Sequence, residues 1–180
     1  MNKALETIEA QWLFGVPIEK VNVIIHPQSI VHSMVEFVDG AIIAQLGLPD
    51  MRLPIQYALL YPERVNSGIP RLDIANLAAS LTFNAPDESR FPALSLARRA
   101  ALEGGTMPAV LNGANEAAVE LFLAEKIPYR EITPLIERVM DNHTTRLQPN
   151  IDCIMKADVW ARTAVAAYSE DNSAHALGVS

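Results

Sequence analysis

The sequence holds one cysteine, Cys153, so no internal disulfide can form. A lone cysteine reads as a small buried hydrophobe in a reducing cytosol, which points to a cytoplasmic protein. Nowhere does an apolar run approach the roughly 20 residues that a membrane span needs. No signal-peptide pattern is visible, so no membrane partner is expected. Basic residues never gather into a stripe, and nucleic acid is therefore not an expected partner. Neither a glycine-rich dinucleotide fingerprint nor a phosphate-binding P-loop is present. Charged residues, at 19%, are few for a free-standing soluble domain. That scarcity suggests surface covered by another subunit or by further chain.

What is present fits one ordinary domain, or a small domain with a helical appendage. The chain has 180 residues, of which 50% are hydrophobic, enough for a sizeable core. Its formal net charge of −7 repels anions, so any phosphate binding must come from local geometry. An amphipathic pattern begins almost at once after Met1, an abrupt start that suggests truncation.

Residues 3–14 read as a helix with Leu5, Ile8, Trp12 and Leu13 at helical spacing, Asn2 as N-cap and Gly15 as stop. Residues 21–25 are a short β-type run, broken by His26-Pro27-Gln28-Ser29. Two more runs, 30–38 and 41–46, joined by Asp39-Gly40, predict a hairpin. Pro54 fits the first turn of a helix reaching about Tyr61. Residues 62–75 read as surface loop, and 81–83 as one more short strand. From residue 92 the periodicity is helical throughout, over 92–102, 109–126, 129–142 and 151–168, with Gly104-Gly105 as a stop. Residues 170–180 read as a frayed tail. The expected fold class is α+β: a partial α/β piece with a small, mostly antiparallel sheet, followed by a four-helix bundle.

Asn2, Lys3 and Glu6 lie near one face of the first turns of one helix. They can be an N-cap, a solvated lysine and an i,i+3 ion pair. They can equally hold an anion or polyol at the helix start, with Glu6 a ligand for a hard divalent cation. His32, mid-strand among Ile30, Val31 and Met34, is either a hydrogen-bonded core residue or a proton-transfer group. His26 and His32 lack the spacing of a zinc site. Pro49 and Met51 can wall a flat ring such as a nicotinamide, or simply pack a loop. Asn112-Gly113-Ala114-Asn115-Glu116 reads as a helix start or a buried polar join.

The motif Asn2-Lys3-X-Leu5-Glu6, with Ile8-Glu9-Ala10-X-Trp12-Leu13-Phe14, resembles the catalytic-domain helix of the deoxyxylulose-phosphate reductoisomerases. So do Ile25-His26-Pro27-Gln28-Ser29, Val31-His32-Ser33-Met34, Ala44-Gln45-Leu46-Gly47, Pro49-Asp50-Met51-Arg52 and Arg64-Val65-Asn66-Ser67-Gly68. Leu111-Asn112-Gly113-Ala114-Asn115-Glu116 is similar to the family's C-terminal helical domain. The matches follow the family's order over most of residues 1–120; the last 50 residues match in character only.

The resemblance implies conversion of 1-deoxy-D-xylulose 5-phosphate to 2-C-methyl-D-erythritol 4-phosphate in non-mevalonate isoprenoid synthesis. A divalent metal (Mn, Mg or Co) would chelate two substrate oxygens, and NADPH would reduce the rearranged aldehyde. It also implies a homodimer. Asn2, Lys3 and His32 fall on substrate-binding positions, Glu6 and His32 on catalytic ones, Glu6 on a metal ligand, and Pro49 and Met51 on the cofactor wall. The implied organisation is a catalytic-domain remainder over 1–86, a linker over 87–91, a helical domain over 92–169 and a flexible tail over 170–180. The family's nucleotide-binding domain and its two other acidic metal ligands have no counterpart in these residues. The isolated chain is therefore expected to be inactive. The alternative is a non-catalytic dimerisation or interaction module derived from the family.

Overall fold

The computed structural model describes residues 1–77 and 80–176. It is an α+β structure with helices α1 (Asn2–Phe14), α2 (Arg52–Leu60), α3 (Ala93–Glu103), α4 (Met107–Leu123), α5 (Ile132–Asp141) and α6 (Ile151–Ala176), and strands β1 (Val31–Glu36) and β2 (Ile42–Leu46). Its contacts gather into two compact units, one of Met1–Val23 with Asp87–Ser180 and one of Ile24–Pro86. The first 23 residues thus pack with the later helices, a grouping that the change of periodicity near residue 86 does not register.

The helical unit owes its core to well-spaced apolar positions. Along α5, Ile132, Leu135, Ile136, Val139 and Met140 recur at i, i+3, i+4, i+7 and i+8 and are all buried. Helix α1 turns Ala4, Thr7 and Ile8 inward, and Ala4 and Ile8 join one cluster with Leu94, Ala97 and Ala100 of α3. Burying a side chain such as Ile8 contributes about 1.5–3 kcal/mol. Helices α4 and α6 meet through small residues: Gly113, Ala114 and Ala118 on one side, Ala157 and Ala161 on the other. The approach is closest at Gly113, where a Cβ would lie 2.7 Å from Asp158 Oδ1 and 2.9 Å from Asp158 O. Beside it Arg162 donates to Asp158 (2.9 Å) and to Glu116, tying the two helices together. The Asn112–Glu116 stretch is therefore a close-packed join inside α4 and not a helix start. Gly113→Ala should cost about 1–3 kcal/mol, the usual range for overpacking, read as a lower urea midpoint with an unchanged slope.

In the second unit β1 and β2 form the expected antiparallel hairpin, pairing Ser33 with Gln45 and Glu36 with Ile42. Gly40, at φ 83°, closes a turn in which its N–H donates to Phe37 O while Phe37 N–H donates to Ala41 O. The Asp39-Gly40 pair makes this geometry easy, because glycine accepts positive φ without a Cβ penalty. Among the described residues of this unit only Ile30 and Gly47 are buried. Val35, Ile42 and Ile43 are each more than half exposed.

Several local expectations need correction. Asn2 is the first helical residue and not the cap, since Leu5 N–H already bonds Met1 O. The run 21–25 and the segment 81–83 form no strand; an isolated bridge pairs Ile25 with Asn84, one residue beyond the expected segment. β-Branched residues alone do not make a strand without a partner along their length. Helix α6 runs to Ala176, past the expected fray point at 170, because no glycine or proline intervenes before Gly178. The remainder of that tail, 177–180, lies outside the described residues. Cys153 is half-buried, because it sits on the groove-facing side of α6's first turns.

Candidate functional site

Helix α1 presents Asn2, Lys3 and Glu6 on its exposed side, opposite the buried Ala4, Thr7 and Ile8. Lys3 Nζ donates to Glu6 Oε2 at 2.5 Å, the i,i+3 pair that the spacing allows. Both side chains are open to water, so this pair adds little stability. It leaves a lysine, an amide and a carboxylate together at a helix start, where free backbone N–H groups favour an anion.

The remaining candidates lie in the second unit. His32 is the extra residue between the pairs Val31–Leu46 and Ser33–Gln45, which makes it a β-bulge. A bulge turns its side chain out of the regular alternation. The His32 ring reaches back across the hairpin, with Nε2 3.2 Å from Gly47 O. Gly47 is buried there, with Leu53 Cδ2 also beside it. Pro49 and Met51 follow on the loop into α2, both exposed. The structure thus brings Asn2, Lys3 and Glu6 together on one element, and His32 with the Gly47–Met51 loop on another.

Asp50 and Arg52 fix the shape of that loop, a role the sequence reading did not assign to them. Asp50 accepts from the Arg52 backbone N–H (2.9 Å) and from its guanidinium Nε (3.0 Å) and Nη2 (2.5 Å). These hydrogen bonds, side chain first, hold the Asp50 carboxyl down at about 2. The folded-state pKa is depressed, so any support from this pair is present above the ordinary carboxylate range and fades as pH falls towards 2. An NMR titration should place the Asp50 midpoint near 2. Arg52→Ala should return it towards the usual value of about 4.

His26 belongs to the scaffold. Its Nδ1 lies 2.8 Å from Thr82 O and its ring stacks on Phe83 at 4.7 Å. Gln28 and Thr82 exchange hydrogen bonds alongside. The His26-Pro27-Gln28-Ser29 motif is in this way a clamp on residues 82–84.

The sequence profile of the DXP reductoisomerase C-terminal domain matches residues 46–164. The chain belongs to the DXP reductoisomerase C-terminal domain family. Among curated relatives, the 1-deoxy-D-xylulose 5-phosphate reductoisomerase of Symbiobacterium thermophilum is 61% identical over 164 residues, covering 91% of this chain and 42% of the relative. That of Acetivibrio thermocellus is 58% identical over 165 residues, covering 92% and 43%. The chain therefore spans about two fifths of the length of these relatives. Of solved structures, the Zymomonas mobilis reductoisomerase in complex with NADPH superposes with a TM-score of 0.87 at 44% identity, over 94% of this chain and 44% of that one. A DOX-P reductoisomerase in complex with magnesium gives 0.88 at 42% identity, over 96% and 45%.

Neither NADPH nor magnesium, the groups carried by those two structures, meets a complete site among the described residues. No three His, Cys, Asp or Glu side chains gather into a cation cage among the described residues. A single carboxylate such as Glu6 could offer only one of the roughly six oxygens that a divalent cation takes. Without a glycine-rich turn, a dinucleotide's phosphates have no backbone cradle. The residues present do not by themselves fit either group.

Proposed function

We propose that this chain is the C-terminal portion of an NADPH- and metal-dependent reductoisomerase. The reaction is isomerisation and reduction of 1-deoxy-D-xylulose 5-phosphate to 2-C-methyl-D-erythritol 4-phosphate, a step of non-mevalonate isoprenoid synthesis in the cytoplasm. The observation that carries this reading is 61% identity to a curated reductoisomerase over 91% of the chain. In the complete protein Asn2, Lys3 and His32 contact substrate, Glu6 is a ligand of the Mn, Mg or Co ion, and Glu6 and His32 are the catalytic residues contributed here. Pro49 and Met51 line the nicotinamide side. The first 86 residues then complete a catalytic domain, 87–91 link it onward, and the helices of 92–169 form a four-helix bundle.

The complete protein is proposed to be a homodimer. Supporting this, the hairpin offers open edges and exposed apolar side chains in a unit that buries almost nothing of its own. Trp12, Leu13 and Phe14 at the end of α1 are likewise exposed. The alternative, a non-catalytic interaction module, would use the same surfaces and differs only in activity. Loss of NADPH absorbance with 1-deoxy-D-xylulose 5-phosphate and Mn²⁺ separates the two. The assay is run on this chain joined to the N-terminal part of a relative; no turnover there would leave the module reading standing.

A further inference from the structure

The helical unit carries a groove of about 420 Å³ between the first turns of α6, residues 142–146 and the start of α4. Its walls include Arg146, Lys156, His143, Thr106, Cys153 and Trp160, and no carboxylate. In a chain of net charge −7 that lining is anomalous. Arg146 Nη1 donates to Cys153 Sγ at 2.9 Å, which lays the guanidinium over the first turn of α6. Lys156 follows Cys153 by three positions and so stands next to it on the same helix face. Among the described residues neither cation has a carboxylate partner.

The arginine is held at its root. Thr106 N–H donates to Arg146 O, and Arg146 N–H donates to Thr106 Oγ1, both at 3.1 Å. The same hydroxyl meets His143 Nε2 at 2.8 Å, and the His143 ring leans on Trp160 at 4.9 Å. Burial disfavours charge on His143, with Glu103 opposing it more weakly. The two rings therefore add an aromatic wall to a groove that two cations also line.

We propose that this groove binds a phosphate-bearing small molecule, a phosphate monoester or diphosphate, between Arg146 and Lys156, with its organic part against Trp160. Two neighbouring like charges repel, and a tetrahedral dianion bridges both. A planar monocarboxylate neutralises only one. The guanidinium offers its fork of donors to such an oxyanion, and the ammonium a point charge. The site lies wholly within the helical unit and does not rest on the reaction proposed above.

The test is a titration of the 180-residue chain with inorganic pyrophosphate at constant ionic strength. In a Trp12→Phe background Trp160 is the sole tryptophan reporter. A saturable fluorescence change is expected. Arg146→Ala and Lys156→Ala should each weaken it about tenfold or more, as loss of a charge-assisted hydrogen bond does. Both side chains are exposed, so neither substitution disturbs the core; circular dichroism checks this. Arg130→Ala, at an exposed side chain that does not line the groove, should leave the binding unchanged. No saturation at millimolar pyrophosphate would overturn the proposal. So would loss of binding in Lys3→Ala with retention in Arg146→Ala, which assigns the anion to α1. Equal binding of a simple carboxylate such as acetate would overturn the phosphate assignment.

Discussion

Given 1-deoxy-D-xylulose 5-phosphate, NADPH and Mn²⁺, the 180-residue chain should leave the NADPH absorbance unchanged. Two deficits act on the same overall conversion. One carboxylate, Glu6, cannot keep a divalent cation dehydrated and oriented, since most of its oxygens would still be water. The cofactor's phosphates also find no glycine-rich turn at a helix start. Neither deficit is repaired by substrate concentration, because saturating substrate does not bring the cation or the cofactor into position. A chimera that supplies the N-terminal part of the Symbiobacterium thermophilum relative should turn over. Glu6→Gln in that chimera should lower kcat/KM about a thousandfold, equivalent to about 4 kcal/mol of lost stabilisation. An amide keeps the shape of the side chain but gives a hard cation a neutral donor. Substantial turnover by the 180-residue chain alone would sink the proposal and demand a different cofactor site.

The largest stability effect is expected at Gly105. Its φ of 54° already disfavours any other residue. A Cβ there would stand 2.2 Å from Arg146 O, 2.8 Å from Arg146 C and 2.9 Å from Leu147 Cα. All three are main-chain atoms, so no rotamer change relieves the overlap. The strained backbone costs about 1–3 kcal/mol and the overpacking about 1–3 more. Together these are a large share of the 5–15 kcal/mol that stabilises a typical domain. Gly15→Ala is the matching control: φ is 62° and nothing lies within 4 Å of its Cβ. It should show the backbone cost alone. Urea melts of the two variants measure the difference, and equal midpoints would mean that the 146–147 segment yields freely.

What the sequence made legible was mostly local. The Asp39-Gly40 turn and the spacing along α5 need only neighbours a few residues away, and both elements formed where expected. The Lys3–Glu6 pair was equally readable, because i,i+3 geometry is built into a helix. Features that depend on a distant partner were not readable. Residues 21–25 look like a strand, but only Ile25 finds a partner, at Asn84. His32 becomes a bulge through the register of β2, which nothing in residues 30–38 encodes. Gly113 is required by Asp158, 45 positions later, and Arg146 meets Cys153 only once α6 is docked. The family motifs named the candidate residues, whereas the Asp50–Arg52 fork that shapes their loop became visible only in three dimensions.

The bridge between Ile25 and Asn84, with N–H···O distances of 2.8 and 3.0 Å, closes the second unit at its own two ends. Residues 24–86 are thus spliced, in topological terms, into the sequence of the helical unit, with their own two ends bridged to each other. Closing a gap of that kind with a short linker carries a small entropic cost, since loop-closure entropy changes only slowly with length. Cutting the gene at residue 87 is a different matter. It discards Ala4 and Ile8 from the cluster they share with Leu94, Ala97 and Ala100, and leaves those α3 side chains facing water. The helical unit of this chain is accordingly discontinuous: residues 1–23 together with residues from 87 onward.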